Sequence, residues 1–199
     1  MTLFSLFGKK TFSHGIHPEE YKAETSAKPT RRLPFAPEII VPLAQSIGKP
    51  AKALVFKGQQ VTRGEIIAEA DGFMSVPIHA PVTGKIKTID IFMTATGQKL
   101  PAISITTSLN SGQVILDTEC QQDYLQLSRA ELIQAVKNTG MVGLGGAAFP
   151  THVKMSIPDD RKIHTILVNG CECEPFLTTD HRVMLEKIEQ LLLGIRIAM

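Results

Sequence analysis

A glycine-rich loop at residues 140–151 constrains the fold of this chain more than any other feature. Four glycines and two alanines occur among the nine positions from Gly140 to Ala148, so a ligand can lie directly against the backbone. Pro150 is suited to begin a helix, and Lys154 places a positive charge one turn into it. A bare loop before a helix start offers free amides and a partial positive charge to an anion. The segment therefore predicts a cradle for a nucleotide phosphate.

The loop departs from two common phosphate-binding patterns. A dinucleotide-binding fingerprint follows a β-strand, whereas the residues before Gly140 have a helical pattern. No G-K-[ST] ending marks a P-loop. A plain connector between two helices therefore remains an alternative interpretation of the loop.

A second polar motif, residues 169–175, reads Asn-Gly-Cys-Glu-Cys-Glu-Pro. It follows residues 163–168, a short β-rich apolar run that predicts a buried strand. Open α/β sheets usually bind ligands just beyond the carboxyl ends of their strands. The motif is therefore a candidate half of the same site, and a polar turn is the alternative.

Together these motifs resemble the flavin- and NADH-binding subunits of respiratory NADH dehydrogenases (complex I), and most closely the C-subunit family of Rnf-type ion-translocating electron transport complexes. The resemblance covers essentially the whole chain. Four separated segments carry it in the same order, namely residues 14–18, 143–154, 168–175 and 179–184.

The resemblance implies FMN and NADH as cofactors, with binding residues drawn from both motifs. These residues are Gly143, Gly145, Gly146, Ala147, Phe149, Lys154, Asn169, Cys171, Glu172 and Glu174. The loop glycines and Lys154 would hold the FMN phosphate, and Asn169 would contact the flavin. Phe149 and Glu174 would lie near NADH, with Glu172 and Glu174 orienting ribose or amide groups. No protein side chain is predicted to be catalytic, because the chemistry belongs to the flavin.

Three positions depart from the complex I version of the pattern. Leu144 stands where an arginine is common, Ala148 where a glycine is common, and Cys171 where an aspartate is common. The changes at Leu144 and Cys171 remove one charge and one polar contact from the predicted pocket. Both changes are familiar in the Rnf branch and therefore sharpen the subfamily.

Composition and charge limit the classes of partner. The 199 residues are 43% hydrophobic and 20% charged, with a formal net charge of +2, which is typical of a globular protein. Without an arginine-rich block, this charge argues against nucleic acid as a partner. The chain begins with too short an apolar run for a secretory signal, and no segment approaches the ~18 apolar residues of a membrane span. We expect a cytoplasmic chain, held peripherally at the inner face of the bacterial membrane by partner subunits.

Cysteines and histidines do not predict a metal site. Cys120, Cys171 and Cys173 do not make a disulfide framework in a cytoplasmic protein, and C-x-C without a second cluster favours free thiols lining the pocket. His14 and His17 have a suitable spacing for metal ligands. They lie beside a glycine and a proline, however, and a structural turn is the preferred interpretation.

Residues 1–35 are expected to run extended over the surface, and residues 36–127 to form a β module with a linker. Short runs separated by glycine turns predict strands at 38–42, 53–56, 60–61, 65–68, 75–78, 84–91 and 102–106. The two halves of this region resemble a lipoyl/biotinyl-type barrel-sandwich. Its hairpin tip, Asp71–Met74, lacks the lysine that carriers modify. A structural or docking role for the module is therefore preferred to covalent carriage.

Residues 128–199 are expected to form the first part of an α/β flavin-binding domain, so the fold class is α+β with more than one domain. Ser128 and Glu131 form a capping box before a helix that Gly140 ends. A final helix from about Thr179 carries an apolar stripe that we expect to face the core. The family continues with the rest of the flavin fold and with cysteine motifs for two [4Fe-4S] clusters. Because those motifs are missing from this sequence, we expect part of a longer protein, inactive alone.

Three functional hypotheses follow. The first is a subunit in which NADH reduces FMN and electrons pass to iron–sulfur clusters outside this chain. The second is a non-catalytic docking or assembly module of the same complex, in which the glycine loop is only a connector. The third, an acyl or biotinyl carrier, would require a modified lysine.

Overall fold

A computed structural model of the chain describes residues 18–116, 124–158 and 160–199. Two compact units divide these residues. The larger unit lies within residues 33–164, and the smaller combines residues 18–32 with 165–197. We describe each unit by itself. The domain boundaries predicted after residues 35 and 127 stay predictions; the larger unit runs across the second of them.

Two antiparallel sheets form the β module of the larger unit. In spatial order, the first sheet contains β1 (Glu38–Pro42), β7 (Lys99–Thr107), β6 (Gly84–Met93) and β3 (Gln60–Val61). The second contains β2 (Lys52–Ala53), β4 (Ile66–Glu69) and β5 (Ile78–His79). The predicted bounds of β1 and β3 are confirmed, β6 and β7 are longer than predicted, and β2, β4 and β5 are shifted by one to three residues.

The inward faces of the two sheets form the hydrophobic core. On β6 the buried Ile86 lies between the exposed Lys85 and Lys87, because successive side chains point to opposite faces of a strand. On β7, Ile103 and Ile105 are 0% exposed. The core comprises Val41, Leu43, Ala51, Val55, Val61, Ile67, Ala68, Ile78, Ala80, Val82, Ile86, Ile103 and Ile105. Burial of each valine or isoleucine contributes roughly 1.5–3 kcal/mol.

A polar cluster joins three strands of the first sheet. The Lys87 ammonium lies 2.6 Å from one oxygen of Glu38, and the buried Ser104 hydroxyl donates to the other. These hydrogen bonds, that of Lys87 first, hold the pKa of Glu38 below its ordinary value. The ionised carboxylate therefore supports the pairing of β1 with β7.

Helical segments follow the strands within the larger unit. A 3-10 turn at Tyr124–Gln126 precedes α2 (Arg129–Asn138), and α3 (Thr151–Met155) comes after the glycine loop. The capping box predicted at Ser128 and Glu131 is confirmed. Gly140 follows the helix with φ +70°, as expected, and a Cβ there would lie 2.5 Å from the Pro77 carbonyl oxygen of the barrel. The glycine thus ends α2 and lets the chain pass against the barrel.

The smaller unit contains α1 (Ala23–Ser26), α4 (Thr179–Glu186) and α5 (Ile188–Ala198). The single final helix predicted from Thr179 is interrupted at Lys187, which has φ −134° and ψ 32°. The predicted core-facing stripe is also wrong, because neither α4 nor α5 contains a buried residue. On this stripe, Met184, Ile188 and Leu192 are 41%, 47% and 53% exposed.

The strand predicted at residues 163–168 is wrong. The segment has no strand pairing, and its side chains are exposed, with Leu167 at 90%. A strand needs a neighbour for its backbone N–H and C=O groups, and no described residue provides one. An apolar run alone therefore did not produce a buried strand. The overall class, α+β with a barrel-sandwich module, is confirmed.

Candidate functional site

The glycine loop is closed at its neck by backbone hydrogen bonds. Thr151 N–H donates to Met141 O at 3.0 Å, and Gly143 N–H donates to Phe149 O at 2.9 Å. An isolated antiparallel bridge lies between these two bonds. The loop is therefore a formed feature of the larger unit, with residues 144–148 projecting from a fixed base.

The crest of the loop is bare backbone. Gly145, Gly146 and Ala147 are exposed, and a Cβ added at either glycine would meet nothing within 4 Å. Gly146 has φ +115°, a conformation that side chains disfavour. A phosphate-sized anion can thus reach the main chain, and the crest fits the predicted cradle.

Lys154 lies on α3 and its side chain returns toward the loop. Its Nζ lies 3.5 Å from the position that a Cβ on Gly143 would occupy and 5.9 Å from the centre of the Phe149 ring. The helix has only five residues, so its dipole adds little positive charge. The ammonium of Lys154, rather than the helix start predicted to act beside it, is therefore the main positive charge at the loop.

Two further contacts fix the end of the loop. The Ile47 N–H of the barrel donates to Ala148 O at 3.2 Å, and Ala148 has φ +47°. His152, 2% exposed, contacts the backbone of Phe73 through Nε2 at 2.9 Å. Sequence reasoning missed His152, because nothing in the order of residues indicates contact with a turn 79 positions away.

The polar motif at residues 169–175, hereafter the acidic motif, belongs to the smaller unit and forms a local turn before α4. Asn169 Oδ1 accepts the Cys171 N–H at 2.9 Å, and Glu172 Oε1 accepts the Asp180 N–H at 2.7 Å. The second bond caps the first turn of α4, for which a carboxylate is favourable. Glu174 is exposed. Asn169 and Glu172 thus have structural partners, and their predicted cofactor contacts stay predictions.

Cys171 and Cys173 are free and exposed thiols. Within residues 18–116, 124–158 and 160–199, no group of three or more His, Cys, Asp or Glu side chains could hold a metal ion. Cys120, His14 and His17, together with most of the 14–18 motif, lie outside the described residues.

Lys22 holds the acidic motif from the N-terminal side. Its ammonium donates to Leu177 O at 3.0 Å and to the carbonyls of Glu172 and Glu174 at 3.4 Å each. These contacts cross at least 150 residues of sequence, so no local pattern could have predicted them. Lys22 therefore places a positive charge among three converging carbonyls.

Aromatic stacking and an ion pair add to this arrangement. Tyr21 and Phe176, which both have positive φ, stack with ring centres 4.8 Å apart. On α4, Arg182 Nε donates to Glu186 Oε1 at 2.8 Å, and the Thr30 N–H donates to the same oxygen at 3.0 Å. These bonds, that of Arg182 first, hold the pKa of Glu186 below its ordinary value. Ring stacking and hydrogen bonds therefore stabilise the residues that flank the acidic motif.

The structure brings the ten predicted site residues together in two groups. The larger unit contains Gly143, Gly145, Gly146, Ala147, Phe149 and Lys154. The smaller unit contains Asn169, Cys171, Glu172 and Glu174. Each group is local and accessible.

Comparison with known proteins identifies both parts of the chain. Residues 10–110 match the RnfC barrel sandwich hybrid domain, and residues 136–199 match the Nuo51 FMN-binding domain. In the described part of the chain, no helix is long and apolar enough to cross a membrane.

Several curated proteins are similar along nearly all of this chain. The C subunit of the proton-translocating ferredoxin:NAD(+) oxidoreductase complex of Clostridium ljungdahlii is 35% identical over 96% of this chain and 41% of its own length. The C subunit of the Na(+)-translocating complex of Acetobacterium woodii is 38% identical over 95% and 42%, respectively. The C subunit of the ion-translocating oxidoreductase complex of Citrobacter koseri is 38% identical over 99% and 28%. The chain spans less than half the length of these relatives.

The FMN-binding match begins within α2 and includes the glycine loop, Lys154 and the acidic motif. The barrel-sandwich match covers all seven strands. Both agree with the predicted resemblance, and the chain belongs to the RnfC family.

Proposed function

We propose that the glycine loop and Lys154 bind the phosphate of FMN in an electron-transfer subunit of an ion-translocating complex. The open backbone at Gly145 and Gly146 carries this proposal, because two adjacent glycines leave space that alanine side chains would fill. Gly143 and Ala147 complete the bare surface, and the Lys154 ammonium neutralises phosphate charge. The match of residues 136–199 to an FMN-binding domain supports the same ligand.

The acidic motif would serve the isoalloxazine and nicotinamide side of the site. Asn169 would contact the flavin, with Cys171 beside it, while Glu172 and Glu174 orient ribose or amide groups of NADH. Phe149, on the loop, would also lie near NADH. FMN, when bound, would supply the conversion between the two electrons of one hydride and single-electron transfers.

We propose NADH as the electron donor. The Clostridium and Acetobacterium relatives are named as subunits of ferredoxin:NAD(+) oxidoreductases, which supports a nicotinamide as one of the two electron-exchange partners. An FMN held between a nicotinamide and one-electron carriers would serve electron transfer in both directions. Rates measured from NADH to a one-electron acceptor, and from reduced ferredoxin to NAD(+), decide between them.

The partners would be the other subunits of a membrane-bound complex, with [4Fe-4S] clusters receiving electrons outside these 199 residues. The relatives are named as subunits of proton-, Na(+)- or ion-translocating oxidoreductase complexes, which supports partner subunits for this chain. The chain would lie on the cytoplasmic side, peripheral to the inner face of the membrane.

Gly145→Ala in the full-length gene product tests the proposal. The φ of Gly145 is outside the left-handed region and its Cβ would enter open space, so the protein should fold normally. Only a ligand against this backbone would meet the methyl group. We expect FMN affinity to fall about tenfold or more, measured by flavin fluorescence quenching. Gly112→Ala, whose Cβ would make one ordinary 3.9 Å contact far along the chain, is the matched control.

An unchanged FMN affinity in Gly145→Ala, or no FMN binding by the full-length gene product, would refute the proposal. Lys154→Met provides the electrostatic arm of the experiment. Without the ammonium, FMN should bind more weakly, and its affinity should depend less on salt.

A docking role for the barrel is the second candidate function, favoured by the exposed apolar side chains of Leu54 and Phe56. Replacing both with serine should weaken assembly of the complex and leave FMN affinity unchanged. If the double variant no longer binds FMN but still assembles into the complex, a docking role for that surface is excluded.

A further inference from the structure

His152 is the most buried side chain of α3, with 2% exposure. Its Nε2 lies 2.9 Å from Phe73 O. Because a carbonyl oxygen can only accept, Nε2 carries a proton and donates it to Phe73 O. Nδ1 is buried without a partner among the described residues. The side chain thus makes one directed bond, and that bond joins α3 to the barrel.

The acceptor belongs to the hairpin tip Asp71–Met74. The Phe73 ring, 62% exposed, contacts the imidazole edge-on with ring centres 6.0 Å apart. At the same tip, Asp71 pairs with Lys52 of β2 at 3.1 Å. The tip is therefore linked to barrel strand β2 by an ion pair and to α3 by a hydrogen bond.

The crest of the glycine loop does not have comparable support of its own. A Cβ added at Gly145 or at Gly146 would have no neighbouring atom within 4 Å. Glycine has the largest backbone freedom of any residue. The conformation of the crest must therefore be set by the two arms of the loop, which are the segments just before and just after the crest. The N-terminal arm passes close to the barrel at Gly140, and the C-terminal arm forms directed contacts with it through Ala148 O and His152. The fully buried Pro150 lies between these two contacts.

We propose that the barrel hairpin tip fastens the phosphate-binding loop through His152, which acts as a positioning residue for FMN. Lys154 follows His152 by two residues on the same short helix, so the His152–Phe73 bond fixes where the ammonium lies relative to the loop. The tip that would present a modified lysine in a carrier module here serves as an anchor for the neighbouring cofactor loop. This inference rests on the proposed FMN function of the loop.

A pair of substitutions in the full-length gene product tests the anchor. His152→Leu fills the buried space but cannot donate a hydrogen bond. His152→Gln carries an amide nitrogen that can reach the place of Nε2. We expect FMN affinity to fall about tenfold in His152→Leu and to stay within about threefold of wild type in His152→Gln. Phe73→Ala removes the ring and keeps the carbonyl, so its FMN affinity should also stay near wild type.

The tautomer gives a readout that does not depend on FMN. Nitrogen NMR of histidine-labelled protein should show a proton on Nε2 of His152. The opposite tautomer overturns the inference, and so does equal FMN affinity in wild type and His152→Leu. If His152→Leu does not fold, His152→Gln decides: retained affinity supports the anchor and a tenfold loss overturns it. Failure of the wild-type protein to bind FMN, with the Nε2 tautomer observed, would instead refute the proposed function.

Discussion

Ala148 offers a sharp test of the loop conformation. Its φ of +47° places an L-residue in the left-handed region, which costs roughly 1–2 kcal/mol relative to a right-handed conformation. Glycine does not have this steric cost, so Ala148→Gly should relieve it. The hydrogen bond from Ile47 N–H to Ala148 O uses only backbone atoms and is retained in the variant.

The opposing term is the entropy of the unfolded chain. A new glycine increases the freedom of the unfolded state and costs about 0.4–1 kcal/mol. The net effect of Ala148→Gly is therefore a stabilisation of up to about 1.6 kcal/mol, with a central value of about 0.8 kcal/mol. Ala147 is the matched control, because its φ is not positive and only the entropic term applies. Ala147→Gly should destabilise the protein by about 0.4–1 kcal/mol.

Urea denaturation followed by far-UV circular dichroism measures both variants, since the chain contains no tryptophan for fluorescence. The two midpoints should move in opposite directions from wild type. The unfolding free energies of the two variants should differ by about 1–2 kcal/mol. If Ala148→Gly lowers the midpoint as Ala147→Gly does, the positive φ and the loop built on it are wrong.

Three further predictions concern single contacts. Gly146→Ala should lower the unfolding free energy by about 1–3 kcal/mol in a denaturation series, because φ +115° excludes a side chain. The pKa of Glu38 is lowered mainly by Lys87, so its stabilising effect is present when it is ionised; the stability difference between wild type and Glu38→Gln should vanish as the pH falls through the lowered pKa. Lys22→Met removes hydrogen bonds to three carbonyls and should destabilise the smaller unit by about 1 kcal/mol, measured by thermal unfolding. Lys28→Met, measured in the same way, should change the stability little.

The barrel could be predicted from the sequence because its signals are local. Alternation around Ile86 and Ile103 indicates which side chains face the core, and turns such as that at Gly58, with φ +91°, bound the strands. Strand positions therefore followed from short local patterns. The bounds of β2 and β5 were off by one to three residues, whereas those of β3, which also has only two residues, were predicted correctly.

The C-terminal region was harder to predict because its apolar patterns depend on distant partners. Residues 163–168 have the composition of a strand, yet strand formation requires a paired neighbour. The stripe that includes Ile188 and Leu192 has helical spacing, and helices do form there, but both side chains remain about half exposed. A periodic sequence specifies the face of an element. It does not specify what packs against that face.

The same distinction applies to the candidate site. The glycine crest and Lys154 could be found from adjacent residues, and the structure places the Lys154 ammonium beside the loop. The supporting contacts of His152 and Lys22 could not, because their partners lie 79 and at least 150 residues away. Binding groups were therefore visible in the sequence, whereas the groups that position them became visible only in the fold.

The union of barrel and glycine loop in one unit has an energetic rationale. Ordering the backbone costs roughly 1–2 kcal/mol per residue, and glycines lose the most conformational freedom when they are ordered. If a ligand had to order the crest on binding, this cost would reduce its affinity directly. The close approach of Gly140 to Pro77 and the hydrogen bond of His152 to Phe73 instead hold both arms of the loop in the folded protein. The barrel thus stabilises the conformation of a loop surface that has no side chains to stabilise itself. Cofactor affinity should therefore depend on barrel residues that do not contact the cofactor.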